Sequence, residues 1–146
     1  MLQLLSQRRA KHALEAIQAF AQTSTPDRNT FYLSAIKSVP IEMRTNGLGQ
    51  AMAMALSQSK KGENKGRKEA YEAIYNQFRG WLCNSQEPDT PFAKSEDFMQ
   101  SLCAADQKTY LTAQAEALAY AEWLKKFAHA FLVEAQLAPD PAGEGS

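Results

Sequence analysis

Apolar residues recur along most of this chain at i, i+3, i+4 and i+7, the spacing that lines one face of an α-helix. The first stripe is Ala10, Ala13, Leu14, Ile17, Phe20 and Ala21, and it predicts a helix from about Leu2 to Gln22. Thr25-Pro26 reads as the N-cap and first helical position of a second helix. That helix carries Phe31, Tyr32, Ala35 and Ile36, and Pro40 is expected to end it. A third is expected from about Ile41 to Ser57, with Ile41, Leu48, Ala51, Met52, Ala55 and Leu56 apolar.

The same reading continues beyond an exposed basic loop, Ser57 to Gly66, with two glycines. A fourth helix is predicted from Arg67 to Cys83, with Ala70, Tyr71, Ile74, Phe78, Trp81 and Leu82 inward. A loop from Asn84 to Pro91 leads to a short fifth helix begun at Ser95-Glu96-Asp97. The last helix is expected from about Asp106 to Gln136. One of its faces is Tyr110, Ala117, Leu118, Ala121, Leu124, Ala128 and Leu132; a second strip is Tyr120, Trp123 and Phe127. A helix apolar on most of its circumference is central in a bundle or offers a surface to a partner. No strand has period-2 alternation. The predicted fold is all-α, a compact bundle of about six helices in a single domain, 1–137, with a disordered tail, 138–146.

One position breaks the pattern. Asn46-Gly47 falls inside the third helical stripe, where Asn-Gly normally marks a turn and glycine costs about 1 kcal/mol against alanine. A glycine there signals close approach of another helix or of a partner.

A chain of 146 residues can bury enough surface to fold without disulfide or metal. Cys83 and Cys103 form no CxxC pair and read as reduced, partly buried thiols of a cytoplasmic protein. The N-terminal charges follow the apolar residues instead of preceding them, so no signal peptide is expected, and no apolar run is long enough to span a membrane. The formal net charge is +0. It hides a split: residues 1–80 hold 12 Lys/Arg and 6 Asp/Glu, residues 81–146 hold 4 and 10. Such asymmetry suits a polyanion-facing side or head-to-tail association, or the halves simply neutralise each other in the fold.

Arg8, Lys11 and His12 fall opposite the Ile17 stripe and should make a solvent-facing basic patch, with Arg9 on its flank. Lys60, Lys61, Lys65, Arg67 and Lys68 add a loop cluster. Such patches suit sequence-independent phosphate contacts, or they are solvated faces. His12 and His129 lie on different helices without nearby cysteines, which disfavours a metal site. No P-loop, no nucleophile–base order and no strand before Gly47-Leu48-Gly49 is present, so no catalytic residue and no cofactor is assigned. Periodicity and spacing support a non-catalytic helical module.

The order of motifs resembles a known family. Arg9-Ala10-Lys11-His12-Ala13-Leu14-Glu15 comes first, then Tyr32-Leu33 with Val39-Pro40, then Asn46-Gly47-Leu48-Gly49-Gln50-Ala51-Met52-Ala53. Asp106, Tyr110, Thr112, Glu116 to Tyr120 and Trp123 to Ala128 follow. The chain is similar, over residues 7–133, to the fifth, small subunit of the Cmr module of type III-B CRISPR effector complexes. A departure is Lys126, where arginine is expected in many members. Charge survives there but bidentate phosphate geometry does not.

The resemblance implies a small all-α subunit without catalytic activity, stacked in a filament beside the repeated backbone subunits that hold the crRNA and meeting the large subunit at one end. Its implied partners are those subunits, further copies of itself, crRNA and target RNA, with no membrane and no small-molecule substrate. Candidate phosphate contacts are Arg8, Arg9, Lys11, Lys37, Arg44, Lys60, Lys61 and Lys68. Candidate subunit-interface residues are Asn46, Gly47, Gln50, Trp123, Lys126 and Phe127. The other reading is an α-helical protein–protein adapter that binds through Trp123 and Phe127 and has no nucleic-acid role.

Overall fold

The computed structural model describes residues 2–135. Six helices follow one another: α1 (Leu5–Thr23), α2 (Pro26–Asn46), α3 (Leu48–Gln58), α4 (Lys65–Leu82), α5 (Phe98–Ala104) and α6 (Gln107–Phe131). No strand occurs among the described residues. The bundle of six helices is the predicted one. The expected tail, 138–146, and Gln136 lie outside the described residues.

Most helices begin where a short polar side chain takes an orphan backbone N–H. Thr25 Oγ1 accepts from Arg28 N at 3.2 Å, with Pro26 at the first helical position. Asn64 Oδ1 accepts from Arg67 N at 3.0 Å, which starts α4 two residues before the expected Arg67. Asp97 and Asp106 cap α5 and α6 in the same way, at 3.0 and 2.8 Å.

Pro40 does not end α2. The helix runs through it to Asn46, and the break comes at Gly47. An interior proline costs about 3 kcal/mol, but Ile36, Val39 and Met43 continue one fully buried stripe across it, and Pro40 is itself buried. Burying side chains of this size is worth about 1.5–3 kcal/mol each, enough to carry the helix past the proline. Ile41, expected inward, is 61% exposed because it lies off that stripe.

α6 is the central element. It packs along α1 and α2 and also touches α4 and α3. It runs parallel to α1, since Arg9 meets Glu116 and His12 meets Tyr120. It runs antiparallel to α2, since Asn29 Nδ2 donates to the Val133 carbonyl and Leu48 N donates to Gln114. Tyr120, read as part of the second apolar strip of α6, is fully buried, as a central helix requires: it stacks on Trp81 at 5.9 Å and meets Phe78 edge-on at 5.5 Å. Cys83 is half-buried and Cys103 exposed; both are free thiols. No helix of the described residues is long and apolar enough to cross a membrane.

Candidate functional site

The Asn46–Gln50 segment is a junction between two helices and not a helix interior. Gly47 has φ 93° and ψ 162° and serves as C-cap of α2 and N-cap of α3. That conformation is essentially restricted to glycine. Gly47 supplies no side-chain cap, so the first N–H groups of α3 find acceptors on α6. Leu48 N donates to Gln114 Oε1 at 2.9 Å and Gly49 N to Tyr110 Oη at 2.7 Å. A Cβ at Gly47 would sit 2.9 Å from that same phenol oxygen. The close approach that the glycine signalled is thus to Tyr110 within the chain. Gln114 was not legible, because its role depends on which turn of α6 faces Gly47. Asn46 and Gln50 are exposed beside the junction, and Asn46 Nδ2 donates to Glu42 at 2.9 Å.

The basic patch predicted on α1 is partly dismantled by the fold. Arg8 donates to Glu87 at 2.9 Å, to Asp89 at 3.0 Å and to the Gln3 carbonyl at 2.6 Å, so it ties α1 to the loop after α4. Arg9 forms a two-pronged bond to Glu116 at 2.6 and 2.9 Å, and Trp81 Nε1 donates to the same carboxylate at 2.8 Å. One carboxylate therefore joins α1, α4 and α6. Burial raises the Glu116 carboxyl, but bonds from Arg9 and Trp81 and the Arg9 charge outweigh it and leave it below the usual carboxylate range. His12 does not face solvent either. It is half-buried between Trp81 and Tyr120, with Nδ1 2.7 Å from Tyr120 Oη, and burial lowers its pKa despite the nearby Glu15. Of that patch only Lys11 is exposed and outside any ion pair.

The remaining candidates keep their charge at the surface. Lys37, Lys60 and Lys61 are exposed and Lys68 is half-exposed, and none lies in an ion pair among the described residues. Arg44 is exposed and only loosely paired with Glu122, at 3.7 Å. Arg28, not a candidate, is bound to Glu69 and to Thr23. Among the candidate cations, the structure thus separates Arg8 and Arg9, which tie elements of the fold together, from the lysines and Arg44, which keep their charge at the surface. Lys60, Lys61 and Lys68 lie together around the α3–α4 loop, while Lys11 on α1 and Lys37 on α2 stand apart from them.

Trp123 and Phe127 are half-buried on α6 and stack at 5.4 Å; Phe127 continues to Phe131 at 6.3 Å, and Lys126 is exposed. Phe131 is the member that pattern reading missed, since it extends the Trp123–Phe127 strip by one further i, i+4 step. Among the described residues no group of three or more His, Cys, Asp and Glu is placed to hold a metal ion.

The family model described as CRISPR-associated protein (Cas_Cmr5) matches residues 5–131, which span α1 through α6. The chain belongs to the Cmr5 family. The Cmr5 proteins are small subunits of type III-B CRISPR complexes, and the predicted family membership holds. The fold agrees with the X-ray crystal structure of a CRISPR-associated Cmr5 family protein from Thermus thermophilus, at TM-score 0.62 and 25% identity, covering 86% of this chain and 98% of that one. No curated protein matches the chain in sequence.

Proposed function

We propose that this Cmr5 chain is a non-catalytic small subunit of an RNA-guided, RNA-targeting complex, stacking beside the guide–target duplex and touching its phosphates through lysines. The observation that carries the reading is the division of the cations. Lys11, Lys37, Lys60, Lys61 and Lys68 hold ammonium groups outside any ion pair of the described residues, and Arg44 is loosely held. Arg8 and Arg9 spend their guanidinium groups on the fold. Lysine gives point-charge contacts to phosphate, which fits a surface that follows a duplex while base pairing to the guide supplies sequence specificity. The partners on this reading are the backbone and large subunits, further copies of the chain, crRNA and target RNA.

The test is Lys60→Glu with Lys61→Glu and Lys68→Glu, introduced into the assembled complex and titrated with target RNA at several salt concentrations. Affinity should fall by a similar factor for unrelated target sequences. The log–log salt slope should shrink by about 0.7–0.9 for each phosphate that is no longer neutralised. Unchanged affinity and slope would remove the phosphate role from this loop.

A further inference from the structure

We propose that the hydrogen bond between His12 and Tyr120 is an acid-sensitive latch that docks α1 on α4 and α6, closed while the imidazole is neutral and opened when it is protonated. The two side chains meet where these three helices converge. Tyr120 on α6 is fully buried, and its hydroxyl has one partner among the described residues, His12 Nδ1 at 2.7 Å. Trp81 of α4 completes the group: its ring stacks on Tyr120 at 5.9 Å and tilts against His12 at 5.3 Å.

Burial fixes the direction of the bond. It raises the Tyr120 pKa well above the ordinary value, so the phenol keeps its proton. A buried hydroxyl left without an acceptor is costly, and this one has only Nδ1 to donate to. Nδ1 is therefore the acceptor, and the neutral imidazole carries its own proton on Nε2. That nitrogen lies on the Gly80 side of the ring, where a Cβ on the glycine would be 3.7 Å from it. Protonation puts a second hydrogen on the ring, at Nδ1. Two donors then face each other, and the Tyr120 hydrogen must turn into the core.

The charges around the ring do not hold a proton on it. Arg8, Lys11 and Glu15 of α1 and Glu87 of the loop after α4 line, with His12, one cavity of about 280 Å³. Glu87 is bound to Arg8, and on α6 Glu116 is bound to Arg9. Lys11 and Glu15 remain, and they oppose each other. α4 brings Trp81 and Gly80, while its Arg79 lines a different hollow with Cys83 and Ser95. Burial of the imidazole outweighs Glu15 and takes the folded pKa below 6.5. The unfolded chain thus takes up this proton at higher pH than the folded chain does. The stability that the latch contributes is present above 6.5 and is lost as pH falls from there to the folded value.

The latch needs no RNA, and the test uses the isolated full chain. In a proton NMR titration of the two histidines, the signal absent from His12→Gln belongs to His12, and its midpoint should lie below 6.5. Tyr120→Phe keeps the ring and removes the hydroxyl, so the midpoint should move up; a histidine that is merely buried would not respond. His12→Gln keeps an acceptor for Tyr120 and takes up no proton. From about pH 7.5 to about pH 5.5 wild type should lose up to about 5 °C of melting temperature relative to His12→Gln. Hydrogen exchange, corrected for its intrinsic pH dependence, should show α1 losing protection before α3 over the same range. A His12 midpoint at or above 6.5, an unchanged midpoint in Tyr120→Phe, a constant melting gap, or equal loss of protection in α1 and α3 would each overturn the proposal.

Discussion

Replacing Gly47 with alanine tests the α2–α3 junction most directly. At φ 93° and ψ 162° an L-residue is strained by about 1–3 kcal/mol. The new Cβ would also lie 2.9 Å from Tyr110 Oη. The phenol sits at the end of a long side chain and can move, but moving it takes the acceptor from Gly49 N, a bond worth about 0.5–1.5 kcal/mol. The sum is about 2–4 kcal/mol. At about 2–4 °C per kcal/mol for a chain of this size, the melting temperature should drop by about 4–16 °C. The assay is urea denaturation with thermal melts, run as a cycle with Tyr110→Phe. Removing the hydroxyl removes the clash and the bond together, so Gly47→Ala should cost about 1 kcal/mol less in the Tyr110→Phe background. Gly49→Ala is the control. Gly49 lies within α3, its Cβ would be 3.3 Å from the phenol oxygen, and alanine favours the helix by about 1 kcal/mol, so the net change should stay within about 1 kcal/mol. If Gly47→Ala melts with wild type, backbone strain and the tertiary cap are both wrongly assigned.

Two further variants, with Lys11→Glu as a control, probe the long-range ion pairs of α1. Glu116 has a depressed pKa in the folded chain, so its contribution is full above the ordinary carboxylate range and fades as pH falls through and below it. Glu116→Gln should therefore melt below wild type at pH 7, and the gap should narrow towards pH 3; a constant gap would show that the charge on Glu116 is irrelevant. Arg8→Glu should destabilise the chain by about 1–3 kcal/mol, because it sets a third carboxylate beside Glu87 and Asp89, whereas Lys11→Glu should change stability by less than about 0.5 kcal/mol. Equal denaturant midpoints for the two would contradict the assignment of Arg8 to the fold.

The helices were legible because their core stripes are periodic and local. Ala13, Ile17 and Phe20 are buried as the spacing predicts, and so are Ala51, Met52 and Ala55. The α2–α3 boundary was misplaced because a proline rule was set against burial. Met43 continues the Ile36–Val39 stripe, a continuation that an inward Ile41 would obscure. The basic patch was misjudged for a different reason. A helical projection shows that Arg8 leaves the Ile17 face, but its partners Glu87 and Asp89 lie 79 and 81 residues away in sequence. Arg9 and Glu116 are 107 apart. Local periodicity carries no information about which charges meet at such separations, so side chains that read as free surface became struts. Gly47 stood out for the right physical reason, and only its partner, Tyr110, required coordinates.

The pairing of α1 with α6 also bears on how the chain is made. α2, α3 and α4 are neighbours in sequence and pack on one another, so their contacts become available early in synthesis. α1 finds its main packing surface on α6, the last of the described helices in chain order. Until α6 arrives, the apolar stripe of α1 lacks its main packing partner, and closing so long a loop makes the step slow compared with local helix pairing. Completion of the core therefore waits for α6, and a chain stalled before α6 would expose an apolar first helix to chaperones or to aggregation.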